Sequence, residues 1–198
     1  MPATSYFGLA GCALLCLALV ASALRLDRRP VRVRNVVAPL VLIALLVPID
    51  HLPLLAYGRG VTGDLSAATL SLAGGALYFR LTGRVALERR EVNALLCVVA
   101  GAGAFLYPLA LGLTPFDPYA LGYASLGFVT ALLLITLAAW RAGLKLVVLV
   151  VLAGSLAYLA GAYESRNLWD YLIDPLAAIY ALAVLATGLV RRVAKLAA

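Results

Sequence analysis

Seven apolar stretches alternate along the chain with short polar gaps. They cover about residues 6–24, 35–56, 64–79, 92–113, 119–140, 146–162 and 176–190. A helix needs about 20 apolar residues to cross the hydrocarbon layer of a membrane, and only structures that satisfy their own backbone groups are stable there. The pattern therefore predicts an all-α, polytopic transmembrane bundle of seven spans in a single domain, 1–198. Several boundaries carry their own punctuation. YGRGVTG closes the second stretch with turn-forming glycines, and Asp64 or Ser66 in GDLSAAT is placed to cap the third helix. LTPFDPY is a Pro-bracketed turn after the fourth. Small residues at Gly74, Gly75, Gly101, Gly103 and Gly154 fit close helix packing in lipid.

Charge gives the bundle a direction. Of sixteen Lys and Arg residues, fourteen sit in every second gap or after the last stretch. One gap holds Arg25, Arg28, Arg29, Arg32 and Arg34, the next basic gap Arg80, Arg84, Arg89 and Arg90, and the third Arg141 and Lys145, while Arg191, Arg192 and Lys195 follow the last stretch. The intervening gaps hold only Arg59 and Arg166. Short loops rich in Lys and Arg stay cytoplasmic, so the N-terminus is expected outside and the C-terminus inside. With Asp27, Glu88 and Glu91 the inner face carries +11, and six outer acids against two bases give −4. Met1 to Ser5 hold no base, and the first basic cluster follows the apolar run, which is the order of an N-out anchor rather than a cleavable signal.

Composition agrees with a membrane location and narrows the chemistry. Hydrophobic residues make up 65% of the chain and the mean hydropathy is +1.03, against about 45–50% apolar residues in soluble domains. The excess of +7 is explained by topology and anionic membrane lipid, so no nucleic-acid partner is expected. Cys12, Cys16 and Cys97 lie inside apolar stretches and are expected to pack as small hydrophobes. A single histidine and no accessible thiol disfavour a catalytic zinc site and exclude bis-histidine haem ligation. The seventh stretch has no lysine to anchor retinal, and no GxSxG or P-loop string occurs. Outer carboxylates leave a divalent cation, Mg²⁺ or Ca²⁺, as the one cofactor class still open.

Candidate chemistry collects at the outer ends. Asp50 and His51, between Pro48 and Pro53 in the second stretch, form an ionisable pair that is expensive to bury in hydrocarbon, and they are the acid/base candidates. The expectation is that both lie below the outer surface with a polar partner from another helix. Substrate-binding candidates are Arg59, Asp64, Asp117, Tyr119, Glu164, Arg166, Asn167, Trp169, Asp170 and Asp174. If the last outer loop is helical, Arg166 and Asp170 can pair one turn apart. Nine of ten tyrosines fall on the outer side, whereas an aromatic belt populates both interfaces. Aromatic rings beside carboxylates suit a sugar or a lipid headgroup, and the outer arginines suit a phosphate.

The leading expectation is a bacterial-type inner-membrane protein whose outer-facing pocket handles a lipid-linked or glycan-type anionic substrate. It would act as a small transferase or as an accessory subunit of one, with membrane lipids and a larger membrane protein as partners. The alternatives are a small transporter or flippase with Asp50 as coupling residue, or a structural docking subunit. The outer loops are expected to converge on one pocket.

Overall fold

The computed structural model describes residues 3–123 and 125–196, and the architecture is all-α. Its helices are α1 (Ala3–Ala23), α2 (Val31–Leu46), α3 (Leu54–Thr62), α4 (Ala67–Thr82), α5 (Arg89–Pro108), α6 (Leu126–Arg141), α7 (Lys145–Leu159), α8 (Leu168–Leu172) and α9 (Pro175–Leu196). Among the described residues three segments are long and apolar enough to cross a membrane: Ser5–Ala23, Arg89–Leu113 and Pro175–Arg192. α2, α4 and α6 have 16 residues and α7 has 15, which at 1.5 Å per residue is about 24 Å of helix against a hydrocarbon core of about 30 Å.

Local chemistry sets the boundaries, and several differ from the predicted ones. The second stretch is not one helix over 35–56. Pro30 precedes the first residue of α2, and Pro48 stops it, because the residue before proline is driven out of the helical region. A two-residue hairpin follows, with Pro48 opposite Pro53 and Ile49 opposite Leu52. Asp50 and His51 form its tip at φ 47° and 74°. Ser66, rather than Asp64, caps α4, its hydroxyl accepting from the Thr69 N–H at 3.3 Å. α5 runs into a π turn, Leu109–Leu113, that breaks at Gly112 with φ 90°. α6 begins at Leu126 behind the Ser125 cap, not at 119, because Pro118–Gly122 forms a 3-10 turn.

α1 packs on α4, α5 on α9, and α7 on α5, α6 and α8. Gly103 lets α5 approach α9, since a Cβ there would stand 2.7 Å from that of Ala178. The core gathers Leu95, Leu96, Val99 and Leu106 of α5 with Val147 and Val150 of α7 and Trp169, Tyr171 and Leu172 of α8. The outside is also apolar: Leu126 is 82% exposed, Leu159 79% and Ile179 66%. That inverts the pattern of a soluble protein and is the surface expected against lipid tails.

The basic gaps meet at one end. Arg80 pairs with Asp27, and Arg34 donates to the Leu81 carbonyl at 2.8 Å. Arg90 donates to the Ala142 carbonyl at 2.8 Å, and Glu91 accepts from the N–H groups of Lys145 and Leu146 at 3.1 and 2.7 Å. Glu91 thus caps α7 from another helix. The acidic loops meet at the opposite end.

Candidate functional site

At the acidic end α3 lies along the first half of α1, Gly58 against Cys12 and Arg59 against Gly8. Arg59 Nε donates to Asp64 Oδ1 at 2.8 Å, and its Nη2 stands 3.8 Å from Glu164 Oε1. Gly8 makes room for this pair: a Cβ there would sit 2.1 Å from Asp64 Oδ1 and 2.3 Å from Arg59 Nε. The Asp64 carboxylate beside it holds the Arg59 guanidinium above its ordinary pKa, so it stays cationic. Among the described residues this single bond is the only hydrogen bond that the Arg59 side chain makes, which leaves four of its five side-chain N–H donors free. They border a cleft of about 430 Å³ lined by Ser5, Leu9, Ala56, Arg59, Gly60, Gly63, Asp64 and Glu164. The volume falls within the usual range of small-molecule sites. Ser5 is nearly buried, and its hydroxyl makes no hydrogen bond among the described residues.

A second polar group fills the space behind the loop that joins α7 to α9. The Asp170 carboxylate accepts from the Tyr119 hydroxyl at 2.9 Å and from the Ser165 hydroxyl. Asn167, fully buried, caps α8 by accepting from the Trp169 N–H at 3.0 Å and donates to the Tyr119 carbonyl at 2.9 Å. Trp169 donates from its indole nitrogen to the Pro118 carbonyl at 3.0 Å. Tyr163 stacks on Tyr171 with centroids 4.8 Å apart, and its hydroxyl donates to the Leu65 carbonyl at 2.6 Å. Burial, joined by the Asp170 hydrogen bond, pushes the Tyr119 hydroxyl up to about 12. Burial, with the charge of Asp64, pushes Tyr163 up to about 12 as well. Burial also raises Tyr171. At neutral pH all three are donors that tie the loop down.

Asp174 has a third role. Its Oδ1 accepts from the Ala177 N–H and its Oδ2 from the Ser66 N–H, both at 2.8 Å, so one buried carboxylate caps the start of α9 and binds the entry to α4.

The predicted site residues therefore divide. Arg59, Asp64 and Glu164 come together at the cleft. Tyr119, Asn167, Trp169 and Asp170 come together in the loop lock, and Asp174 is a cap. Asp117 is exposed and accepts from the Tyr119 N–H at 2.9 Å to start the 3-10 turn. Arg166 is exposed and makes no ion pair with Asp170, because α8 begins only at Leu168 and Asp170 turns to Tyr119. Asp50 and His51 are corrected most sharply. Both are exposed on the hairpin tip, and neither side chain makes a hydrogen bond among the described residues. Pro48 ends α2 and pairs with Pro53 across the hairpin, which puts Asp50 and His51 at its tip. Among the described residues the acidic loops do not form one pocket, and no three His, Cys, Asp or Glu side chains gather as a metal-ligand set. The cleft residues Ser5, Leu9 and Ala56 gave no sequence signal. Tyr163 and Tyr171 were visible only in the excess of outer tyrosines.

No protein-family model, curated protein or solved structure matches this chain.

Proposed function

We propose that this is a multi-pass protein of the inner (plasma) membrane whose outward-facing cleft beside Arg59 receives the phosphate-bearing headgroup of a lipid-linked substrate. In this reading the chain crosses seven times, N-terminus out and C-terminus in. The alternation of basic gaps supports it, as does their meeting at one end of the bundle through the Arg80–Asp27, Arg34–Leu81 and Arg90–Ala142 contacts. Basic residues at the ends of the 15- and 16-residue helices, Arg80, Arg141 and Lys145, suit helices met by a locally thinned bilayer.

The observation that carries the functional reading is the fixed, partly buried guanidinium with unused donors at the mouth of a cleft. Planar N–H pairs bind phosphate oxygens two at a time, and fixing Nε on Asp64 presents the remaining donors without further ordering. Leu9 and Ala56 supply an apolar wall beside that polar mouth, as an amphipathic ligand requires. An accessory, substrate-presenting role fits better than a transferase. Asp64 is committed to Arg59, Asp170 to Tyr119 and Ser165, and Asp174 to two backbone amides, while Asp50 and His51 stand apart. The test is mass spectrometry of lipids retained by the full chain after purification in mild detergent. Wild type is expected to carry a phosphate-bearing lipid that Arg59→Gln loses while still folding. Equal retention by both proteins would refute the reading.

A further inference from the structure

The charges around the cleft do not suit a purely anionic ligand. Among the described residues that line it Arg59 is the only base, and it faces two carboxylates, Asp64 and Glu164, so this lining is net negative. The two acids are not equivalent. Asp64 is 18% exposed and spends an oxygen on Arg59 Nε at 2.8 Å. Glu164 is 67% exposed, stands 3.8 Å from Arg59 Nη2, beyond hydrogen-bond distance, and accepts no hydrogen bond among the described residues. Its carboxylate keeps its lone pairs for a cation, beside a guanidinium that keeps its donors for an anion.

We propose, resting on the headgroup reading above, that the cleft selects a zwitterionic phosphate ester carrying a primary ammonium, a phosphoethanolamine-type headgroup. The phosphate takes the free Nη donors of Arg59, with the Ser5 hydroxyl close by, and the ammonium takes Glu164. One loose protein ion pair is exchanged for two ligand contacts, and a net-neutral ligand adds no further negative charge to a lining that is already net negative. A phosphate without a cation would meet Glu164 as a like charge, the repulsive element from which specificity is commonly built. The cleft lining contains no aromatic side chain, and quaternary ammonium groups are recognised by aromatic cages. A choline headgroup therefore has no counterpart here, whereas a primary ammonium donates directly to a carboxylate.

The experiment presents the full chain with an equimolar mixture of phosphatidylethanolamine, phosphatidylglycerol and phosphatidylcholine and reads retained lipid by native mass spectrometry. Wild type is expected to retain the ethanolamine lipid several-fold over the other two. Glu164→Gln, at an exposed side chain that folding does not need, is expected to lose that preference and raise glycerol-lipid retention to the same level. Arg59→Gln is expected to lose retention of all three. Soluble phosphoethanolamine is expected to compete only weakly, because Leu9 and Ala56 contribute only to a lipid. Competition equal to that of the lipid would overturn the lipid source. An unchanged ethanolamine preference in Glu164→Gln, or a glycerol preference in wild type, would overturn the zwitterion inference. If retention depends on Arg59 but not on the headgroup, only this inference falls. If retention is independent of Arg59, the headgroup reading falls with it.

Discussion

Replacing Asp174 by alanine separates a cap from a ligand group. The carboxylate is 5% exposed and accepts two backbone N–H bonds at 2.8 Å, one from Ala177 and one from Ser66. Bonds to a charged acceptor contribute about 1.5–3 kcal/mol each, and removing the carboxylate also relieves its own burial, so the net loss comes to about 2–4 kcal/mol. At roughly 2–4 °C per kcal/mol for a chain of this size, the unfolding midpoint should fall by about 5–15 °C. Asp174→Asn keeps one acceptor oxygen but turns an NH₂ toward the other amide, and it should lose about half as much. Intrinsic-fluorescence unfolding in mild detergent reads both variants, with Trp169 in the affected loop as reporter. A midpoint for Asp174→Ala within 1 °C of wild type (roughly 0.5 kcal/mol or less), together with lost lipid retention, would refute the cap and return Asp174 to the ligand-binding residues.

Gly122→Ala places a Cβ 1.8 Å from Asn167 Oδ1 and 2.7 Å from Trp169 Cδ1. It should lower stability by about 1–3 kcal/mol in the same unfolding assay. Gly8→Ala displaces the Arg59–Asp64 pair, so lipid retention should fall several-fold while the midpoint moves less than in Asp174→Ala. The raised Tyr119 and Tyr163 hydroxyls give a pH signature: their stabilisation is complete below the ordinary tyrosine value of 10.0 and is lost as pH rises through about 12. The midpoint should therefore stay flat from neutral pH to about 10 and fall between 10 and 12, and a Tyr119→Phe, Tyr163→Phe double variant should flatten that fall.

The helical, apolar character of the chain was plain in the sequence because it rests on many residues at once. Apolar runs and basic clusters average over local detail. The role of each acid was hidden for the opposite reason, since a carboxylate's part depends on which donor it happens to face. Asp174 did carry a local signal: Asp before Pro175 and an apolar run is an N-cap followed by proline at the first helical position. Glu91, capping α7 across 54 residues, and Asp170, bound to Tyr119 across 51, carried none, because the partners are brought together only by packing. Pro48 and Pro53 flank a pair that is costly to bury, but proline more simply ends a helix, and an Asp-His tip with two positive φ angles makes the hairpin. The Arg59–Asp64 pair was half legible. Both residues stood out, but the Gly8 notch that admits them lies on another helix.

An Arg59 cleft that opens to the outside puts Gly60 within reach of reagents outside the cell. Gly60 lines the cleft, and a Cβ there meets nothing within 4 Å, so Gly60→Cys adds a thiol without displacing any neighbour. In a background with Cys12, Cys16 and Cys97 replaced, a membrane-impermeant maleimide added to intact cells should label Gly60→Cys. Val85→Cys, at a 73% exposed position in the basic gap at the opposite end, should label only after the cells are permeabilised. The reverse pattern, with Val85→Cys labelled in intact cells and Gly60→Cys protected, would contradict both the orientation and the outward-facing cleft.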